Sequence, residues 1–167
     1  MTNVYHAQPY DLSACGFYFS DYEEYCKKAK ANRNDFGAPV EEYEIQFIDG
    51  ENCALFNAIG VDQGNLEEWF DELEGMDEEE AIKGVYIAEH FNQDIRTILE
   101  KLDDICLFEG TAVNYAWDYL EETGLINEVP KSLQYYIDVD ALARDMRLNG
   151  DIDEITINGK DYVIWGL

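Results

Sequence analysis

The chain has 167 residues, with 37 Asp and Glu against 11 Lys and Arg, and a formal net charge of -26. With 47% hydrophobic and 14% aromatic residues it has material for a core, which argues against the disorder that such acidity usually brings. No basic patch is visible for phosphate binding, so nucleic acid and anionic membrane surfaces are excluded as direct partners, leaving basic proteins and cations.

In chain order, Val4 to Tyr10 and Cys15 to Phe19 read as strands. Ser20 and Glu23 form a capping-box pattern, followed by Tyr22, Tyr25, Cys26 and Ala29 at helical spacing. Glu23 with Lys27 and Glu24 with Lys28 lie one turn apart, and Lys27, Lys28 and Lys30 suit a helix C-terminus. That structural role accounts for the one basic cluster. Tyr43 to Ile48 alternates as a strand. The first sixty residues thus read as a small sheet carrying one helix.

Composition shifts near Gly60 to Gly64. Asn65 and Glu68 form a second cap pattern, and Leu66, Trp69, Phe70 and Leu73 form one apolar stripe. Asp77 and Glu80 cap the next helix, with Ile82, Val85 and Tyr86 inward. Asn92 opens another, with Ile95, Ile98, Leu99 and Leu102 on one face. This middle segment reads as all helical.

Ile105 to Phe108 is a short strand. Thr111 starts a helix with Val113, Ala116, Trp117 and Leu120 inward, stopped by Gly124. Pro130 to Tyr136 reads as a turn or two of helix. Asp138 caps a helix with Val139, Leu142, Ala143 and Met146 inward. Glu154 to Ile157, Asn158-Gly159 and Lys160 to Trp165 spell a hairpin. The fold class expected is α+β in three small domains: 1–61 (sheet plus helix), 62–103 (helical) and 104–167 (mixed α and β).

Sites for chemistry are scarce. Cys15, Cys26, Cys53 and Cys106 include no CxxC pair and read as free, mostly buried thiols of a reducing cytosol. His6 and His90 read as structural. No nucleophile context and no phosphate loop is present. Asp49-Gly50-Glu51-Asn52 and Asp151-Ile152-Asp153-Glu154 lack the ligand pattern of an EF-hand, so only diffuse cation condensation is expected. No cofactor, metal or catalytic residue is assigned, and the protein is expected to be cytoplasmic, without a signal segment.

The informative feature is the run from Asn34 to Ile82, which has no lysine or arginine but sixteen Asp and Glu. Uncancelled charge of one sign destabilises a compact state, and the commonest surface carrying such charge is nucleic acid. Duplex DNA has about one charge per 1.7 Å of axis. A helix with roughly two carboxylates per turn has about one per 2.7 Å. Two copies would carry about -52, the phosphate charge of about 26 base pairs. The chain is therefore expected to imitate DNA. The carboxylates expected to do so are Glu41, Glu42, Glu44, Glu67, Glu68, Asp71, Glu72, Glu74, Asp77, Glu78, Glu79, Glu80, Asp103, Asp104, Glu109, Asp118, Glu121 and Glu122.

Several segments carry a resemblance. They are Tyr119-Leu120-Glu121-Glu122-Thr123-Gly124-Leu125, Tyr136-Ile137-Asp138, Ala143-Arg144-Asp145, Gly150-Asp151, Glu41-Glu42-Tyr43-Glu44-Ile45 and Gly16-Phe17-Tyr18-Phe19. The chain resembles the ArdA-type antirestriction proteins of plasmids, conjugative transposons and phages, departing from their pattern at Phe47-Ile48-Asp49-Gly50. The resemblance implies an elongated row of three domains and a homodimer joined through the C-terminal ones, curved like bent B-form DNA. It implies as partner the DNA groove of type I restriction-modification enzymes, formed by specificity and modification subunits, with cleavage and methylation both blocked. It brings no catalytic residues. The alternatives are an acidic sequestering partner for another basic protein, and a hydrolase using a carboxylate pair.

Overall fold

Aromatic side chains at alternate positions organise the N-terminal sheet. The computed structural model describes residues 2–166. Strand β1 (Val4–Pro9) lies between β2 (Phe17–Phe19) and β3 (Tyr43–Asp49), both antiparallel to it. Tyr5 stands opposite Phe19 on one side and Phe47 on the other; Ala7 stands opposite Phe17 and Ile45. The two-residue period of a strand puts Tyr5, Ala7, Tyr43 and Ile45 on one buried face.

That face receives helix α1 (Tyr22–Ala31), whose Tyr25 ring sits 5.1 Å from Phe19. The expected Ser20–Glu23 box is displaced by one residue. Asp21 is the cap, accepting the Glu24 amide at 2.7 Å, and Glu24 reaches back to the Ser20 amide at 2.9 Å. Asp caps as well as Ser and adds charge where the helix dipole favours it. Of the two expected ion pairs, only Glu24–Lys28 forms, at 2.7 Å.

Helix α2 (Cys53–Ile59) has no counterpart in the sequence expectations. It lacks a side-chain cap, being entered through Asn52 in the left-handed region. The Asn52 amide group instead donates to the carbonyls of Glu74 and Met76. Leu55 of α2 packs on the helix Glu78–His90, where a Cβ at Gly84 would lie 2.8 Å from its Cδ1. Glycine there is what lets the two helices approach.

Helix α3 (Leu66–Glu68) widens into a π-helical turn, Trp69–Leu73, closed by the Glu74 amide on the Trp69 carbonyl at 2.9 Å. Leu66, Trp69 and Leu73 are fully buried, as expected, with Phe70 half-buried. Asn65 does not cap α3, because its side chain already accepts the Asp62 amide at 2.8 Å. Helix α4 (Glu78–His90) opens with the expected Asp77–Glu80 box and buries Ile82, Val85 and Tyr86. Helix α5 (Ile95–Lys101) starts later than expected. Asp94 accepts the Thr97 amide, while Asn92 turns to the Asp94 amide.

The chain divides into two compact units, Met1–Leu99 and Glu100–Leu167. In the second, β6 (Lys160–Trp165) lies between β4 (Cys106–Glu109) and β5 (Asp153–Ile157), antiparallel to both. The Asn158-Gly159 hairpin forms with positive φ at both residues, 52° and 79°, as a two-residue turn of this kind requires. Helices α6 (Ala112–Glu122) and α7 (Val139–Leu148) cover the sheet. The core joins Ala112, Tyr115, Ala116, Val139, Ala143, Ile152 and Val163. Trp117, expected inward, is 41% exposed. Tyr115 takes the inward place, its ring 5.6 Å from Phe108 and 4.7 Å from Trp165. Pro130 to Tyr136 supplies only a 3-10 turn, Gln134–Tyr136.

All four cysteines are free but exposed, which corrects the expectation of buried thiols. They sit at margins. Cys53 and Cys106 are the first residues of α2 and β4, Cys26 faces outward beside buried Tyr25, and Cys15 is in a loop. Flanking apolar residues point the other way, so neighbours in sequence did not report on the thiols themselves.

Asp11 anchors the loop after β1. It accepts from the Ser13 hydroxyl at 2.7 Å, the Asn34 amide group at 2.8 Å and the Ser13 amide at 2.9 Å. These bonds favour the ionised form and hold the carboxyl below its ordinary range. A depressed native value means that the contribution is present above the unfolded value and lost as pH falls through the native one. Asn34→Ala is expected to raise the Asp11 midpoint toward the ordinary value, as followed by carboxyl-carbon NMR titration.

Candidate functional site

Among the candidate carboxylates, Glu74 is half-buried and the others are exposed. Their exposure follows from helix and strand periodicity. On α3 and its π-helical turn, burying Leu66, Trp69 and Leu73 turns Glu67, Glu68, Asp71 and Glu72 to solvent. On β3, burying Tyr43 and Ile45 turns Glu44 outward, on a strand at the edge of its sheet. On α6, Asp118 and Glu121 lie away from Ala112, Tyr115 and Ala116, while Glu122 is exposed as the last residue of the helix.

The carboxylates differ in what they do locally. Asp77 and Glu80 form the α4 cap, so their first task is structural. Glu79 pairs with Lys83 at 2.7 Å and Glu109 with Lys160 at 3.6 Å. Glu44 accepts from Gln46 at 3.0 Å, and Glu78 is also engaged. Glu74 accepts from the Tyr5 hydroxyl at 3.0 Å, which ties it to the core. Among the described residues, Glu67, Glu68, Asp71 and Glu72 form no ion pair, and neither do Glu41, Glu42, Asp103, Asp104, Asp118, Glu121 and Glu122. Their charge is uncompensated locally and therefore projects into solvent.

Both units are strongly acidic. The first unit holds 22 Asp and Glu against 6 Lys and Arg; the second holds 15 against 5. Asp35, Asp49, Glu51 and Asp62 are also exposed, lie in the same base-free run, and were absent from the candidate set. The signal for them was the run itself, which makes no distinction between loop and helix carboxylates. Glu154, outside the candidate set, is structural. It accepts the Ala112 amide at 2.8 Å and pairs with Arg147 at 2.6 Å, tying α6, α7 and β5 together.

Among the described residues no group of three or more His, Cys, Asp and Glu is placed to hold a metal ion. No helix among them is long and apolar enough to cross a membrane. His6 lies in β1, its ring tilted against that of Tyr18 at 4.7 Å, and His90 ends α4 with its Nδ1 3.0 Å from the Tyr86 carbonyl.

The structure is that of an α+β protein of small antiparallel sheets and helices, with many exposed carboxylates that form no ion pair. The chain belongs to the ArdA family of antirestriction proteins, whose family model matches residues 16–159. Membership implies an inhibitor that acts on restriction enzymes. Comparison with curated proteins finds no match.

Proposed function

We propose that the protein imitates B-form DNA and occupies the DNA-binding groove of a type I restriction-modification enzyme, where specificity and modification subunits meet, blocking cleavage and methylation. The observation that carries this reading is the set of exposed, unpaired carboxylates on α3 and its neighbours, in a stretch without a single base. Carboxylates already used in caps or ion pairs contribute less. Glu41, Glu42, Glu67, Glu68, Asp71 and Glu72 are therefore the centre of the site in the first unit. Asp103, Asp104, Asp118, Glu121 and Glu122 are the corresponding unpaired carboxylates of the second unit.

The test is competition with DNA for a purified type I methyltransferase core. The protein is expected to displace labelled duplex stoichiometrically, with affinity falling steeply as salt rises, as DNA binding does. A salt-independent affinity, or binding that leaves DNA in place, defeats the proposal; the latter outcome favours an acidic sequestering protein.

We further propose that the functional form is an elongated homodimer of three-domain chains, joined through the C-terminal third. Tyr135 and Tyr136 support this: they are 93% and 83% exposed, more apolar surface than a monomer gains from showing. Changing both to serine is expected to shift sedimentation from dimer to monomer. The monomer should still bind, but more weakly, because half of the charge array is gone. A parent chain that sediments as a monomer at high micromolar concentration while inhibiting fully removes the dimer from the mechanism.

A further inference from the structure

The acidic segment after Asn65 makes a poor helix by local rules. Glu67 with Asp71, and Glu68 with Glu72, are like charges at i, i+4, which repel on a helix surface. Asp71, Glu72 and Glu74 crowd its C-terminal end, where the helix dipole disfavours anions. Leu66 to Leu73 spans about two turns, too few to hold themselves as a helix in water. Burial of Leu66, Trp69 and Leu73 fastens the segment to the core, but apolar residues at that spacing suit an ordinary α-helix. The turn is nevertheless π-helical, a rare form.

Glu74 accounts for that. An α-helical course carries position 74 about 140° round from Trp69. A ring closed five residues apart keeps it nearer the Trp69 side. There Glu74 is held by its amide, its carbonyl and its carboxylate. The amide donates to the Trp69 carbonyl at 2.9 Å. The carbonyl accepts from the Asn52 amide group at 3.2 Å. The carboxylate accepts from the Tyr5 hydroxyl at 3.0 Å. That hydroxyl already accepts from the Trp69 indole at 2.9 Å and from the Asn3 amide group at 3.2 Å, so its own proton is left for Glu74. Asn52 also holds the Met76 carbonyl at 2.9 Å, and does so from a left-handed backbone with φ of 66°. Glu67, Glu68, Asp71 and Glu72, by contrast, are exposed and form no ion pair among the described residues.

We infer that Glu74 is a positioning residue: with Tyr5 and Asn52 it locks the π-helical turn, and the lock sets the spacing at which Glu67, Glu68, Asp71 and Glu72 meet the enzyme's basic groove. This assignment rests on the proposed function and deepens it, because it takes Glu74 out of the carboxylates that touch the enzyme and gives it a separate task. DNA spaces its phosphates with a covalent backbone, whereas a folded mimic must space its carboxylates with packing and hydrogen bonds. Without the lock, repulsion among the four carboxylates spreads the turn over several conformations, and ordering them again on binding lowers affinity.

Two variants of equal charge separate position from charge. Glu74→Gln keeps an acceptor for Tyr5 and sets the cost of losing one carboxylate; Glu74→Ala loses the acceptor as well. In low-salt titrations of the methyltransferase core, Glu74→Ala is expected to bind roughly tenfold more weakly than Glu74→Gln, the size of coupling found within one bonded network. Asn52→Gly keeps the left-handed backbone without steric cost, removes no charge and releases the other anchor. It should weaken binding similarly, and it carries the comparison where Glu74→Ala destabilises the fold. The Glu74 amide should exchange with solvent faster in Glu74→Ala and Asn52→Gly than in the parent and Glu74→Gln. In the Glu67→Gln/Glu68→Gln/Asp71→Gln/Glu72→Gln background both affinity losses should vanish, because nothing is left to position. A purely structural role lowers the thermal midpoint without that dependence. If the parent displaces DNA but Glu74→Ala and Glu74→Gln bind alike, or the losses persist in the neutralised background, the lock is refuted and the DNA-mimic reading stands. If the parent does not displace DNA, both fall.

Discussion

Glu67→Gln/Glu68→Gln/Asp71→Gln/Glu72→Gln is expected to bind the methyltransferase core far more weakly at low salt and nearly as well as the parent at high salt. The argument is one of counterions. Each phosphate-like charge taken out of the interface lowers the slope of log affinity against log salt by about 0.9. If all four act as phosphates do, the parent's advantage shrinks roughly hundredfold between 50 and 200 mM salt. Each single substitution should change affinity little, because the neighbours remain. The fold should survive, since these four side chains are exposed and form no ion pairs. Removing repulsion among them is expected to raise the thermal midpoint slightly. Abolition of binding by one single substitution would point to a discrete site in place of a charge pattern.

The second large effect concerns the fold. Trp69 and Tyr5 are both fully buried, and the indole N–H donates to the Tyr5 hydroxyl at 2.9 Å. That hydroxyl also receives the Asn3 amide group at 3.2 Å and donates to Glu74 at 3.0 Å. Rings of Phe19, Phe47, Phe56 and Phe70 surround Tyr5 at 5.2–5.7 Å. Trp69→Ala should cost about 3–5 kcal/mol through the cavity it leaves. Tyr5→Phe keeps the packing but strands the indole N–H, at about 1–3 kcal/mol. Against a total of about 5–15 kcal/mol for a domain, the first is expected to leave the unit barely folded and the second folded but less stable. Urea titration followed by circular dichroism measures both.

Burial also raises the Tyr5 phenol above its ordinary value of 10.0. A raised native value means that the stabilisation is complete below pH 10 and is lost as pH rises above it. Tyr5→Phe should therefore lose less stability than the parent between pH 10 and 12. Equal alkaline losses in the two proteins would show that Tyr25 and Tyr115, also raised by burial, dominate.

Elements that announce themselves by period or by a turn were legible in the sequence. The Leu66–Leu73 stripe, the Asp77–Glu80 box and the Asn158-Gly159 hairpin each follow from a local rule that tertiary packing had no cause to override. Helix α2 was not legible, because seven residues entered through a left-handed asparagine carry no cap signal; the one mark was Gly60 at its end, with φ of 70°. Trp117 was misplaced because Tyr115 and Trp117 are both large and only three-dimensional packing decides between them. Caps slid by a residue or two wherever Ser, Asp and Asn stood close together, as at Ser20-Asp21 and Asn92 to Asp94. For the candidate surface, exposure of the carboxylates was readable from the apolar stripes opposite them. Which carboxylates are spent on caps and lysines was not, since that depends on side-chain geometry.

The exposed thiols have a practical consequence. Cys15, Cys26 and Cys53 lie in the first unit and Cys106 in the second, and none is in a disulfide. Keeping Cys106 and one of the other three, with serine at the remaining two, yields a chain with two native attachment points for spin labels and no foreign cysteine. The interspin distance before and after the enzyme is added then reports directly how the two units are arranged when free and whether engagement bends one against the other.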